Sequence, residues 1–322
     1  MRLSRPFFQL PVLFEVARLQ AEVAALPAEA WASHPDGVPG NSAARLISAG
    51  GGETESIQGQ MLPTRSLEAM PYLRQVLAGF GVVWSRSRLM RLAPGAEVPA
   101  HADINYHWHT RVRLHIPIFT WPEVIFNCDG QSVHMAAGEA WIFDNWRRHR
   151  VENKAGADRI HLVADTTGTA AFWQFACGRA PPRGQWRTVN WDPGISPQLL
   201  TEDNQRSPMM PAAEVQLLVE DLCAELALAA DTAEARTRAA RFSLLLESFV
   251  LDWRQLCALH GVGGRARLEF LRLADAVHEA AKLLADGLVM RTNNASALLV
   301  LEKRVLLHLV ADDVAPQTSA GQ

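Results

Sequence analysis

Two histidines and one aspartate constrain this chain more than any other feature in it. His101-Ala-Asp103 sets an imidazole and a carboxylate two residues apart, and His149 follows 46 residues after Asp103. In an extended segment, side chains two apart point the same way. His101 and Asp103 can therefore face one ligand from the end of a strand. Two imidazoles and one carboxylate occupy one face of a metal and leave its other positions open, the donor set of non-haem Fe(II) sites. A bidentate 2-oxo acid and then dioxygen could take those positions. The spacing predicts that His149 arrives from a distant strand of a closed sheet, after several hairpins. We therefore read His101, Asp103 and His149 as ligands of Fe(II), beside a pocket for a small dicarboxylate.

Two strand patterns support a polar interior. In Arg111 to Phe119, Val112, Leu114, Ile116 and Ile118 fall on one face, and Arg111, Arg113 and His115 on the other. In Arg159 to Asp165, Ile160, Leu162 and Ala164 oppose Arg159, His161, Val163 and Asp165. Period-2 alternation of this kind marks strands. On an ordinary sheet the polar row faces water. In a small barrel with an anionic ligand it faces the lumen, and the neighbouring metal residues favour that reading.

These segments together resemble the aspartyl/asparaginyl β-hydroxylase family of Fe(II)/2-oxoglutarate oxygenases, which includes bacterial proline cis-hydroxylases. The family's pattern appears here as His101, then Arg111/Arg113/His115/Pro117, then Gly138 to Asp144, then His149/Val151/Asn153, then Arg159/Leu162/Asp165. The resemblance covers residues 80 to 170 well and residues 1 to 80 loosely. It implies a double-stranded β-helix, a jelly-roll or cupin-like barrel, and oxidative decarboxylation of 2-oxoglutarate. It assigns Arg159 to the distal carboxylate of 2-oxoglutarate, where a planar fork gives two parallel hydrogen bonds. Arg113 and His115 would help hold the cosubstrate or tune its keto-acid end. Mammalian-type aspartyl hydroxylases lack the metal carboxylate, so Asp103 makes the chain look more like the proline-hydroxylase branch. The implied substrate is an amino acid, free, within a peptide or carrier-bound. The alternatives are a peptide aspartyl/asparaginyl hydroxylase, a cupin enzyme using another metal, and a non-catalytic carboxylate-binding barrel that signals through its helices.

The expected architecture is α+β, a barrel with flanking helices followed by a C-terminal helical bundle. Residues 1–180 would form the barrel domain, 181–210 a linker, 211–315 the bundle and 316–322 a tail. Residues 7–26 read as a strand and an amphipathic helix ended by Pro27, and residues 32–54 as loop with one strand near Ala44 to Ser48. Asn41, Arg45 and Gln58 are substrate-contact candidates in the loops of the barrel mouth. A helix opens near Arg65, with Ser66 as its cap and Pro71 splitting it. Gly81 to Leu92 reads as the first major barrel strand, Asp129-Gly130 as a hairpin, and Ala170 to Ala176 as a last strand. Residues 211–230, 232–259, 265–286 and 294–311 have helical periodicity, with Asp231 and Glu234 spaced like a capping box. Four helices with short loops suggest an antiparallel bundle on which two copies could pair.

His107-x-His109 lacks the glycine-led approach and following glutamate of a cupin site, because Arg113 stands at that place. His115 could replace His101 as a ligand. The four cysteines form no Cys-x-x-Cys pair and read as buried free thiols. A formal net charge of -3 argues against general nucleic-acid binding. No run reaches the ~18 apolar residues of a membrane span, and residues 1–10 contain no secretory h-region. The expected setting is cytoplasmic.

Overall fold

The computed structural model describes residues 1–33 and 37–311. The His34-Pro-Asp sequence and the expected tail lie outside them. The chain divides into two units. The first holds residues 1–103 and 110–205, and the second holds residues 104–109 and those from 206 onward.

In the first unit the strands are β1 (Phe7–Phe14), β2 (Ala32–Ser33), β3 (Asn41–Ala49), β4 (Gly59–Pro63), β5 (Trp84–Leu92), β6 (Glu97–His101) and β7 (Val112–Phe119). They continue as β8 (Val124–Cys128), β9 (Gln131–Val133), β10 (Glu139–Phe143), β11 (His149–Asn153), β12 (Arg159–Thr166), β13 (Arg187–Val189) and β14 (Asp203–Asn204). The larger sheet runs β13-β1-β10-β7-β12-β5-β3-β4-β14, with β2 on the side of β3. The smaller sheet runs β6-β11-β8-β9. All pairs are antiparallel except β1 with β13.

The alternating strands sort their residues as their sequences require. Val112, Leu114, Ile116, Ile118, Leu162 and Ala164 are fully buried, and Ile160 is nearly so. They join one core with Leu19 and Val23 of α1 (Val16–Ala24) and with residues of α3 (Pro71–Ala78) and α5 (Ala170–Cys177). A second, smaller core holds Phe7, Leu92, Phe126, Met135, Phe143 and Val151, from the opposite face of the large sheet and from the small sheet. The polar rows of β7 and β12 share that second face. This is the double-stranded β-helix arrangement.

Local chemistry sets the turns. Asp129 and Gly130 both take positive φ, 49° and 75°, which suits the two-residue hairpin between β8 and β9. Gly138 has φ +78°, and a Cβ there would lie 2.6 Å from Val16 Cγ2, so only glycine fits before β10. The helix near Arg65 is split, as Pro71 predicts: α2 (Arg65–Glu68) precedes α3, whose first residue is Pro71. Its cap is Thr64, not Ser66, because the Thr64 hydroxyl accepts from Leu67 N. Ala170 to Ala176 is helix, not strand. Thr169 caps it by accepting from Phe172 N at 3.2 Å, and Phe172 and Ala176 are buried four residues apart.

The second unit takes in most of the short helix α4 (His107–Thr110), followed by α6 (Ala212–Glu225), α7 (Ala233–His260), α8 (Arg267–Leu284) and α9 (Ala297–Val300). A wide π-turn over Leu301–Val305 extends α9. β15 (Leu226–Leu228) and β16 (Leu288–Met290), with α7 and α8 between them in the chain, pair as a two-stranded antiparallel ribbon, and β15 falls where periodicity suggested the end of the first helix. Thr232 rather than Asp231 caps α7, accepting from Ala235 N at 3.1 Å. The buried-thiol expectation holds for Cys128 only; Cys177 is exposed, and Cys223 and Cys257 are partly exposed.

Candidate metal centre and active site

His101 closes β6 and His149 opens β11, and the strand register makes them direct cross-strand partners. Their ring centroids lie 4.2 Å apart. His101 Nδ1 lies 2.8 Å from the Pro99 carbonyl and His149 Nδ1 2.9 Å from the Arg147 carbonyl. An Nδ1–H donated to a carbonyl leaves Nε2 unprotonated and fixes the ring, the usual outer support of a metal-binding imidazole. Asp103 N donates to Asn145 O at 2.9 Å, which holds the residue in place beyond the strand end. The donor atoms of His101, Asp103 and His149 all lie within 4.8 Å of one another. Asp103 Oδ2 is buried with no hydrogen-bond partner. His101 stays 43% exposed while Asp103 is 13% exposed, so the site opens to solvent on the His101 side. Burial pushes the His149 imidazole down to about 4, against the pull of Asp103, and so keeps it in the neutral form a metal requires.

The polar face of the large sheet continues from this point. His115 and His161 are 5% and 2% exposed, with ring centroids 5.8 Å apart, and no ring nitrogen of either has a hydrogen-bond partner. Burial, then the nearby Arg159, hold both imidazoles well below their usual range. His115 also meets Phe126 and Phe143 edge-on, each at 5.4 Å.

Arg159 lies farther along β12. It is 4% exposed, and its Nε and Nη2 have no partner. Burial pushes this guanidinium down to about 9, and among the described residues no carboxylate offsets the cost. Asn41 Oδ1 is also buried without a partner. Leu92 is the register partner of both Asn41 and Arg159, so the three share one face. Buried polar groups are normally paired, and here a guanidinium and an amide oxygen wait at one level of the lumen.

The other end of this face is crowded with charge. Arg113 Nε lies 3.3 Å from Asp165 Oδ1, and its Nη1 lies 3.8 Å from Asp103 Oδ2. Arg45 and Arg88 reach Glu55 at 2.8 and 2.9 Å, and Arg86 lies 3.6 Å from it. Arg86 and Arg88 were not singled out from sequence, although their spacing in β5 repeats the alternation of β7 and β12. Glu55 lies in an irregular loop and carried no sequence signal. Gln58 is exposed. Arg111 is engaged by Glu202 at 2.8 Å.

Three motif residues act as scaffolding. Glu139 accepts from Ala136 N and Trp141 Nε1, Asp144 accepts from Leu3 N and Trp146 N, and Asn153 ties the end of β11 to the end of β5. His134 meets the Val124 carbonyl at 3.1 Å. His107 and His109 fall in the second unit, where His109 Nδ1 lies 3.8 Å from Asp221. A cavity of about 430 Å³ elsewhere in the first unit, lined by Trp31, Arg91, Trp121 and Asp158 among others, contains none of the metal donors.

Residues 57–168 match the profile of the family described as Aspartyl/Asparaginyl beta-hydroxylase. That segment is similar to this family. It contains the three candidate metal donors together with Arg113, His115 and Arg159. No curated protein matches the chain. An oxidoreductase of the 2OG-Fe(II) oxygenase family from Burkholderia pseudomallei aligns at 17% identity over 48% of this chain and 79% of its own, with a TM-score of 0.37. A predicted oxalate decarboxylase from Thermotoga maritima aligns at 17% identity over 39% and 79%, with a TM-score of 0.24. A cupin-superfamily sugar phosphate isomerase from Silicibacter pomeroyi aligns at 17% identity over 45% and 73%, with a TM-score of 0.26. Alignments this partial are likenesses only, and the fold rests on the strand pairing above. Among the described residues, no helix is long and apolar enough to cross a membrane.

Proposed function

We propose that the chain is an Fe(II)- and 2-oxoglutarate-dependent oxygenase. It would hydroxylate an unactivated C–H bond of an amino acid or amino-acid-derived substrate. One 2-oxoglutarate, one dioxygen and one C–H group would give succinate, carbon dioxide and one C–OH group. The observation that carries this reading is Arg159, a buried guanidinium with no anion beside it among the described residues, on the same face as Arg113 and His115, the neighbours of the candidate metal donors.

The donor set fits ferrous iron. Two neutral imidazoles with Nε2 free and one carboxylate oxygen match a site that keeps positions open. Iron held by His101, Asp103 and His149 would supply the dioxygen chemistry that no side chain here can perform. The protein's own part is positioning. Arg159 would take the distal carboxylate of 2-oxoglutarate through two parallel N–H donors. His115 and His161, neutral and without partners, would line the cosubstrate's path and donate or accept hydrogen bonds along it. Phe126 and Phe143, whose ring centroids lie 6.1 and 4.8 Å from that of His149, would exclude water around it.

The primary substrate would carry an anionic group. Arg45, Arg86 and Arg88 converge on the Glu55 carboxylate, which stands in for such a group. Asp103 favours a metal site with a carboxylate over the two-histidine site of the peptide aspartyl hydroxylases.

The test is anaerobic loading with Fe(II) and 2-oxoglutarate, then exposure to dioxygen across a panel of amino acids. The expected result is succinate whose yield rises with one class of substrate. Binding of 2-oxoglutarate with no succinate from any panel member would instead make the chain a carboxylate-binding barrel.

A further inference from the structure

Between β3 and β4 a short segment crosses a cluster of arginines. In the strand register Arg45 faces Arg88, Arg88 faces Val163, and Val163 faces His115. Directly paired residues share a face of the sheet. Arg45 and Arg88 therefore stand on the same face as His115, and Arg86 joins them two residues before Arg88 on β5. Residues 53–56 meet that face through their carboxylates. Glu55 Oε1 accepts from Arg45 Nε at 3.0 Å, and its Oε2 accepts from Arg88 Nη1 at 2.9 Å and lies 3.6 Å from Arg86 Nη1. Glu53 Oε2 accepts from Arg45 Nη1 at 2.5 Å. Within this cluster three guanidiniums meet two carboxylates, and Arg86 Nε is buried with no partner. Burial, then Arg86 and Arg113, push the Arg88 guanidinium down to about 9. The cluster can take up more negative charge than Glu53 and Glu55 supply.

The segment itself is lightly fastened. Its two ends are tied, because Ser48 Oγ donates to Gly52 O at 2.6 Å and Asn204 Nδ2 donates to Ile57 O at 2.6 Å. Between them, among the described residues, the backbone of residues 53–56 makes no bond to the sheet. Ser56 N donates to Thr54 Oγ1 at 3.1 Å, within the segment. Two carboxylates hold it across the arginines. Partly exposed ion pairs stabilise little each, and a segment with so few backbone bonds opens at low cost. We propose that residues 53–56 form a displaceable strap, in which Glu55 is a tethered competitor at the arginine site and so determines which substrates enter. An incoming anion must take Arg88 and Arg86 from Glu55. An anion that also accepts from Arg86 Nε gains a bond that the tethered carboxylate does not make. A weaker anion meets a closed strap, and its apparent affinity falls in proportion to the fraction of time the site is open. The inference rests on the reading of Arg45, Arg86 and Arg88 as the anion site of the primary substrate.

Inorganic phosphate is the probe. It is titrated by calorimetry into the full chain as wild type, as Glu55→Gln, and as Glu55→Gln combined with Arg88→Met or with Arg159→Lys. Amide NMR spectra of residues 53–56 and a thermal midpoint accompany each titration. The dissociation constant for phosphate should be lower by about tenfold or more in Glu55→Gln, as for a site that the strap leaves open about a tenth of the time. Arg88→Met should abolish the gain, and Arg159→Lys should leave it in place. In wild type, phosphate should move the amide signals of residues 53–56 toward their positions in Glu55→Gln, because both changes free the segment. An ion pair with a structural role alone would give no such displacement. Phosphate that binds wild type while these signals stay in place, or a Glu55→Gln variant that gains no affinity, overturns the inference and leaves the anion site standing. Phosphate that binds no variant, or a gain that survives Arg88→Met, overturns the anion-site reading and the inference with it. If Glu55→Gln melts early, Glu55→Asp, which keeps the charge and draws the carboxylate back by one methylene, is titrated in the same way. It should show a smaller gain in the same direction, and its absence overturns the inference.

Discussion

Arg159 is the residue whose chemistry is least complete within the chain. Its burial without a carboxylate is costly, and a dicarboxylate cosubstrate would relieve that cost. Replacing it by lysine keeps the charge and loses the fork. The dissociation constant for 2-oxoglutarate should rise about ten- to a hundredfold, the equivalent of roughly 1.5–3 kcal/mol for one charge-assisted hydrogen bond. Isothermal titration of the metal-loaded protein measures this, and an unchanged constant would remove Arg159 from the pocket. His149 carries a pH prediction for the metal-free protein. Its folded pKa, about 4, lies below the ordinary 6.5. The unfolded chain therefore binds more protons between those values, so the stabilisation is fully present above pH 6.5 and is lost as pH falls through 4. The loss is on the order of 3 kcal/mol for this one group, and His115 and His161 shift in the same direction. Urea midpoints at a series of pH values should fall through this window. A flat profile would mean that these imidazoles are solvated.

At the level of elements, one residue ties β11, the strand that His149 opens, to the end of β5. Asn153 Nδ2 donates to Leu92 O, Ala93 O and Ala157 O, and its Oδ1 accepts from Ala155 N at 3.1 Å. Its backbone adds Gly95 N to Asn153 O at 2.8 Å. One buried amide thus links the end of a small-sheet strand to the turn that follows β5. Asn153→Ala would strand several buried carbonyls and should destabilise the protein by about 1–3 kcal/mol or more. Asn153→Asp should be no better, because the donors are the part that matters. Chemical denaturation of both variants checks this, and an aspartate variant as stable as wild type would refute it. The alternation that placed Arg113 and His115 on the polar face of β7 also runs through Arg86 and Arg88 of β5. The pattern was equally visible there, but only strand pairing shows that the two rows share a face.

For the whole molecule, the division into units matters most at Ile104 to His109. Trp108 is 4% and His107 2% exposed, within a unit otherwise built from residue 206 onward. A chain ending at Gln205 would leave this segment without the groups that bury it. Hydrogen exchange in residues 104–109 should then become fast, and the protein should aggregate more readily because apolar surface is exposed. Exchange as slow as in the full chain would show that the segment is held by other means.

The sequence by itself determined the local content of this protein. Alternation in β7 and β12 told which residues share a face, because a strand has only two faces. The His-x-Asp spacing and His149 pointed to a candidate donor set, and the motif residues fell in order along the chain. Only the tertiary structure decided what depends on register and on contacts distant in sequence. It made His101 and His149 cross-strand partners, left Arg159 without an anion, and drew Arg45, Arg86 and Arg88 to Glu55. It also gave Ile104 to His109 to the helices. None of these follows from local pattern, because each joins residues whose separation in the chain carries no periodic signal. Ala170 to Ala176 shows the same limit at close range: a short apolar run reads equally as strand or helix, and the Thr169 cap with the packing of Phe172 and Ala176 makes it a helix.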